Sequence, residues 1–146
     1  MYHSLIFVDG NVTKNTWDDW YLIPSSRPVV TRPNVTYKYV DIPGMDGQLD
    51  ITDYLVGRPT YSDCTGNFEF IVDNDHGDWA TRKSELSSFL NGRKMKMYLE
   101  DDPQYYYLGR FTLKDWRSGA NFSTVSIEYH VEPYKIRASN GEKVWA

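Results

Sequence analysis

Strict alternation of apolar and polar side chains over residues 122–131 is the feature that most constrains the fold of this chain. Val125, Ile127, Tyr129 and Val131 fall on one side of an extended backbone, and Thr124, Ser126, Glu128 and His130 fall on the other. Successive side chains of a strand point to opposite faces, so this pattern predicts a half-buried strand. The chain is therefore expected to be rich in β-structure.

Two further segments, residues 67–72 and 93–99, alternate in the same way. Aromatic and β-branched composition favours strands elsewhere, and these are expected over residues 4–8, 17–23, 36–40 and 105–116, with a shorter strand or a turn over residues 49–55. Asp9-Gly10 predicts a tight turn after the first of them. Gly109 predicts a bulge or a bend within the last, and residues 118–121 are expected to form the final hairpin loop.

Residues 78–90 depart from the period of two. Trp79, Leu86 and Phe89 recur at helical spacing, which predicts one helix that lays these three side chains on a sheet. Asp75 is the expected N-cap and Gly92 the expected C-terminal cap. The predicted fold class is mainly β with one α-helix.

Charge and cysteine content exclude several classes of function. The net charge is −4 and no basic tract is present, which argues against a nucleic-acid binder or a polybasic membrane face. Cys64 is the only cysteine, so no internal disulfide can form. No stretch approaches the roughly 20 apolar residues of a membrane helix.

Candidate reactive groups do not converge in the sequence. A glycosidase needs two carboxylates across a cleft, but Glu100-Asp101-Asp102-Pro103 has the composition of a solvated turn. His3, His76 and His130 lack metal-ligand spacing, and nothing local supports pairing Cys64 with either of the last two. Residues 41–50 lack the spacing of a calcium loop. We expect no enzyme activity, no cofactor and no metal site.

Residues 39–50 form the most distinctive segment. Pro43 fixes its own φ, and Gly44 and Gly47 permit positive φ, so the segment is expected to project from a sheet in a defined shape. With aromatic residues at 16% of the chain, both a β-rich core and large contact surfaces are open interpretations. The residues alone lead to a β-rich binding or assembly domain.

This segment and several others, in their order and spacing, resemble the N-terminal domain of the distal tail protein (Dit) family of long-tailed, siphovirus-type bacteriophages and prophages. The resemblance covers residues 16–134, and the other segments that carry it are Trp17-Asp18-Asp19-Trp20-Tyr21-Leu22-Ile23-Pro24, Ser25-Ser26-Arg27-Pro28, Asn91-Gly92-Arg93-Lys94-Met95-Lys96, Leu99-Glu100-Asp101-Asp102-Pro103, Tyr107-Leu108-Gly109-Arg110 and Val131-Glu132-Pro133-Tyr134.

The resemblance implies an antiparallel β-sandwich with one packed helix and a protruding β-hairpin arm over residues 36–53. It implies a non-enzymatic homohexameric ring at the tip of a phage tail, assembled in the host cytoplasm. The ring would join the tail tube and tape measure proteins to the tail-tip hub and receptor-binding proteins, with DNA passing only transiently through its lumen and no membrane partner. The residues expected to contact the neighbouring subunit are Asp41, Ile42, Pro43, Gly44, Met45, Asp46 and Gly47.

On the same basis, residues 1–134 are expected to form the ring domain, and residues 135–146 a C-terminal tail or the start of a second domain. The alternative function is a carbohydrate-binding module of a phage adhesion device, with a stacking platform made by Trp17, Trp20 and residues 105–107. Acids of the lumen are expected among Glu100, Asp101, Asp102, Asp73 and Asp75, unless these simply solvate the outer surface.

Overall fold

The computed structural model describes residues 3–54, 56–73, 78–118 and 122–145. Within these ranges the chain forms one helix and twelve strands, and all strand pairs are antiparallel. The elements are β1 (Leu5–Asp9), β2 (Val12–Asn15), β3 (Leu22–Pro24), β4 (Val35–Thr36), β5 (Tyr39–Val40), β6 (Leu49–Asp50), β7 (Thr60–Tyr61), β8 (Cys64–Asp73), α1 (Trp79–Phe89), β9 (Asn91–Leu99), β10 (Asp102–Ser118), β11 (Phe122–Arg137) and β12 (Lys143–Trp145).

One curled sheet holds most of the chain. Its strands run in the order β2-β1-β9-β10-β11-β8-β3, and β12 pairs with the end of β11. This arrangement confirms the predicted class, mainly β with one α-helix in an antiparallel, sandwich-like fold. The four remaining strands form two separate ladders, β4 with β7 and β5 with β6.

The core lies on the inner face of this sheet, where the alternation of the sequence placed it. One face of each alternating strand is buried together with Leu5, Phe7 and Phe111. Its apolar side chains are Phe68, Phe70, Val72, Met95, Met97, Leu99, Val125, Ile127, Tyr129 and Val131. The bulge predicted at Gly109 is confirmed by a register shift between Tyr107 and Gly109. A Cβ at Gly109 would lie 2.3 Å from the carbonyl oxygen of His130, so the close approach of β10 to β11 requires glycine.

The helix is confirmed, but its caps and its buried face differ from the prediction. Asp78 is the N-cap, and its side chain accepts a hydrogen bond from Ala80 N; Asp75 lies outside the described residues. Gly92 is not the C-cap, because Leu90 takes that position and β9 begins at Asn91. The helix closes through a hydrogen bond from Leu90 N to Leu86 O at 2.7 Å.

The prediction that Trp79 packs on the sheet is also wrong, since its side chain is 48% exposed. Leu86 and Phe89 are buried as expected, but Arg82 takes the buried position in the first turn. At 100° per residue, Trp79 lies about 50° around the helix from the centre of the stripe formed by Arg82, Leu86 and Phe89, so it falls at the edge of the buried face. The buried Arg82 Nη1 donates to the Trp20 carbonyl at 3.5 Å.

The prediction of a single strand over residues 17–23 is wrong. Asn15 Oδ1 accepts from Trp17 N at 2.8 Å, and Tyr21 N donates to Trp17 O at 2.9 Å, so the chain turns before β3 begins at Leu22. Tyr21 has φ of 55° within this turn. The turn buries Trp20 against the Phe89 ring, with centroids 5.7 Å apart. Local hydrogen bonds of the Asn15 side chain thus override the strand propensity of the aromatic residues.

The two ends of β11 concern the predicted hairpin loop and the predicted domain boundary. The predicted hairpin loop at residues 118–121 lies almost wholly outside the described residues. At the other end, β11 continues past Val131 to Arg137 and pairs with β12 through Lys135 and Val144. The proposed domain boundary at residue 134 stays a prediction.

Candidate functional site

The candidate site is an excursion of residues 35–61 from the main sheet, which we call the arm. At its base β4 pairs with β7, and beyond it β5 pairs with β6 through Val40 and Leu49. Ser62 N donates to Asn34 O at 2.9 Å, so the chain leaves and re-enters the domain at neighbouring points. The strand predicted over residues 36–40 is split between β4 and β5. The shorter strand or turn expected over residues 49–55 is β6 followed by a turn at residues 52–54.

The seven predicted contact residues lie together in the loop between β5 and β6, and all are exposed. Gly44 and Gly47 have φ of 81° and 74°, values that other residues adopt only with strain. Met45 N donates to Ile42 O at 3.1 Å, which closes a turn around Pro43 and Gly44. Their grouping is observed, whereas their contact with a neighbouring subunit stays a prediction.

The arm exposes large apolar side chains that the core of its own domain does not cover. Tyr37 and Tyr39 stack on each other with ring centroids 6.0 Å apart, and both remain exposed. Exposed apolar side chains clustered in one segment are typical of an interaction surface. The other members of the cluster are Val40, Ile42, Met45, Leu49 and Tyr54.

Side-chain hydrogen bonds fix the arm at residues 38–52. Lys38 N donates to Thr52 Oγ1 at 3.0 Å, and Ile51 N donates to Lys38 O at 2.9 Å. The Thr52 hydroxyl and backbone N–H both donate to Asp50 Oδ1, and these two bonds lower the pKa of Asp50. Asp50 is therefore a fixed negative charge on the arm at neutral pH.

The chain segment that leads into the arm is anchored by Tyr129, a role that the alternation did not reveal. The Tyr129 hydroxyl accepts from Thr31 N at 3.0 Å, and its ring stacks on Phe68. A Cβ at Gly66 would lie 2.4 Å from that hydroxyl, so glycine is needed where Tyr129 crosses β8. The one signal in the sequence is a glycine ahead of an otherwise alternating strand.

The carboxylates of the acidic turn after β9 are bound by groups of their own chain. Glu100 accepts from Ser4 N at 3.1 Å, while Asp101 pairs with His3 at 2.7 Å and Asp102 with Lys135 at 2.8 Å. Carboxylates paired in this way tie the turn to β1 and β11. Whether they line a lumen stays a prediction, and no side-chain placement is described for Asp73 or Asp75.

The structure does not bring the candidate reactive side chains Cys64 and His130 together. Cys64 is buried, and burial followed by the nearby Asp63 charge raises the pKa of its thiol. His130 is exposed on the opposite face of the sheet, where it lies 2.8 Å from Asp63, and His76 is outside the described residues. Among the residues described, no group of three His, Cys, Asp or Glu could hold a metal ion.

The predicted sugar-stacking platform is dispersed. Trp20 and Tyr107 are buried at 1% and 6% exposure, so neither ring can stack on a ligand. The Tyr105 ring is covered by Lys135 Nζ at 4.6 Å and by the Arg137 guanidinium at 5.3 Å. Three of the five rings are therefore buried or covered within the domain, while Trp17 and Tyr106 are partly exposed.

An open groove of about 440 Å³ lies beside β8 and is lined by side chains of both charges, including Glu69, Lys114 and Arg117.

No helix in the described ranges is long and apolar enough to span a membrane.

The fold is similar to that of a phage adsorption-apparatus protein. The Dit protein (gp 19.1) of phage SPP1, described as a paradigm of the hub adsorption apparatus in phages that infect Gram-positive bacteria, superposes with a TM-score of 0.63 at 20% sequence identity. The match covers 92% of this chain and 51% of the SPP1 protein, so the chain spans about half the length of that relative. No family model and no curated protein sequence matches this chain.

Proposed function

We propose that this chain is a structural component of a phage or prophage-derived tail tip, in which six copies form a ring. The ring joins the tail tube and tape measure proteins to the host-recognition apparatus, the hub and receptor-binding proteins. Its work is contact and not catalysis, in keeping with the scattered reactive groups of the described residues.

One observation carries the proposal: the arm presents an ordered, partly apolar loop outside the domain's own core. Such a surface is costly for an isolated domain, since exposed apolar segments favour association. The similarity of the fold to the SPP1 hub protein supports the choice of a tail tip as the setting.

In the proposed ring, residues 41–47 of one copy contact the next copy. A contact between two different surfaces repeats around a closed ring, and each copy then gives one arm and receives one. The shape of the arm tip matters for this contact, whereas the core does not depend on it.

The test is the oligomeric state of the purified chain, measured by multi-angle light scattering and native mass spectrometry, with rings imaged by electron microscopy. We expect hexamers at high concentration. Replacing Gly44 and Gly47 together by valine should leave a folded monomer, because valine strains positive φ while a Cβ at either position meets no atom within 4 Å.

A matched control is Gly141→Val, which also has positive φ and open space but lies in the turn before β12. It should keep the ring. A wild-type chain that stays monomeric at high concentration would refute the proposed function, and loss of the whole fold in the arm variant would place the loop in the core.

A further inference from the structure

The outer face of the main sheet carries basic side chains that lie directly across from each other on neighbouring strands. Lys94 on β9 lies directly opposite Arg110 on β10, and both side chains are exposed. Lys96 lies two residues further along β9, on the same face. Like charges directly opposite each other destabilise a sheet, so this arrangement is not explained by the stability of the domain. We call Lys94, Lys96 and Arg110 the basic face.

The domain itself neutralises this face only weakly. Lys94 Nζ lies 3.8 Å from Glu132 Oε1, a long and largely exposed pair. Arg110 Nη1 donates to the Gly92 carbonyl at 3.0 Å, and Lys96 Nζ stands 4.8 Å from the centre of the Tyr106 ring. Within the described ranges, no carboxylate pairs with Arg110 or Lys96.

Apolar side chains border the basic face. The cross-strand register aligns Ile6 with Tyr98 and Tyr98 with Tyr106, and in the next row it aligns Lys96 with Leu108. These four apolar side chains are partly exposed. The face thus combines a half-exposed apolar row with adjacent cations.

The arm has the complementary chemistry. Residues 39–50 contain Asp41, Asp46 and Asp50 and no lysine or arginine. All three aspartates are exposed, as are Ile42 and Met45 between them. An acidic, partly apolar loop and a basic, partly apolar sheet face are matched in both charge and hydrophobicity.

We propose that the arm of one copy docks on the basic face of the next copy. This docking rests on the proposed ring. It adds the surface that binds the arm and the charged residues that align the two copies. Asp41 and Asp46 would meet Lys96 and Arg110, while Ile42 and Met45 would cover the apolar row. Complementary charges on two different surfaces of one chain favour a head-to-tail contact, the kind of contact from which a closed ring is built.

Charge reversal tests the docking. The arm variant is Asp41→Lys with Asp46→Lys, and the face variant is Lys96→Glu with Arg110→Glu. Each should raise the dissociation constant of the subunit contact at least about tenfold, and a chain carrying all four changes should recover most of the loss. Sedimentation equilibrium at low and high salt measures this, and wild-type association should weaken as salt increases.

A matched control is Lys14→Glu with Lys83→Glu. Lys14 is aligned with the buried Phe7 and Lys83 lies on α1, so both belong to the helix side of the sheet. This double reversal should leave association unchanged. Two outcomes would refute the docking site while the ring proposal stands, provided that the wild type forms rings. One is a face variant that assembles as well as the wild type. The other is a chain with all four changes that does not regain association.

A disulfide trap keeps the test decisive if the face variant does not fold. Met45→Cys with Leu108→Cys should give intermolecular disulfides on mild oxidation, whereas Met45→Cys with Lys83→Cys should not. The native Cys64 is buried and gives no background. A wild-type chain that never associates would refute both the ring and the docking, and equal cross-linking from both cysteine pairs would refute the docking alone.

Discussion

At the scale of single residues, the fold depends on a few tight contacts between neighbouring strands. Gly66 and Gly109 are places where a Cβ would overlap a side chain or backbone of β11. Tyr129 depends on the first of these, because its ring passes over Gly66 to reach Thr31. An alternating pattern shows which face of a strand is buried, but it does not show which partner comes this close.

Tyr107 gives a prediction about alkaline stability. Burial, with the nearby Asp102 charge, raises the pKa of its hydroxyl to about 12 from an ordinary value of 10.0. Because the folded pKa is raised, the unfolded chain releases this proton first, and stability falls as pH rises from about 10 toward 12. Tyr107→Phe should reduce this loss by on the order of 2 kcal/mol.

Urea denaturation at a series of pH values measures the effect. Tyr54→Phe, which removes the same hydroxyl from a largely exposed ring, is the matched control. An unchanged slope between pH 10 and 12 in the Tyr107 variant would show that this hydroxyl ionises as easily in the folded state as in the unfolded one.

At the scale of elements, the sequence predicted what depends on period and missed what depends on local hydrogen bonds. The strands around residues 67–72, 93–99 and 122–131 are confirmed, because alternation directly reflects which side is buried. The strand expected at residues 17–23 is mostly a turn, because the Asn15 side chain satisfies backbone N–H groups there. Propensity alone does not reveal that competition.

The arm illustrates the same limit for the candidate site. Its glycines and proline predicted a shaped loop, and residues 41–47 do form one between β5 and β6. The basic face was not predicted, since Lys94 and Arg110 meet only through the pairing of β9 with β10. Register between distant strands depends on the whole sheet, so a local pattern cannot supply it.

The helix gives a prediction at this scale. Asp78 accepts from Ala80 N and from the Thr81 hydroxyl, each at 3.1 Å. Asp78→Ala should lower the free energy of unfolding by about 1 kcal/mol, the usual effect of losing an N-cap. Asp78→Ser keeps a capping oxygen and should lose much less. Equal losses in the two variants, measured by urea denaturation, would contradict the capping role.

At the scale of the whole molecule, the chain divides into a domain with one continuous core and an arm that stands outside it. The core cluster extends from Leu5 to Val131 but includes none of the arm residues that the structure describes. The arm's own ladders, β4 with β7 and β5 with β6, are separate from the main sheet. Stability of the domain and association between copies should therefore be separable properties.

Removing the arm tests this separation. Because Ser62 N already bonds to Asn34 O, three residues such as Gly-Ser-Gly can replace residues 35–61 without moving either end. A shorter excursion costs less closure entropy, by about 2 kcal/mol for this ninefold shortening, so the free energy of unfolding should not fall and should rise by at most about 2 kcal/mol. If the wild type forms the proposed rings, the shortened chain should remain monomeric at the same concentrations.

Calorimetry and sedimentation on the same samples separate the two outcomes. Loss of cooperative unfolding would mean that the arm belongs to the core, against the exposure of its side chains. Rings formed without the arm would mean that another surface makes the contact between copies. Only a stable monomer agrees with a domain whose core is complete by itself and whose arm serves the next copy.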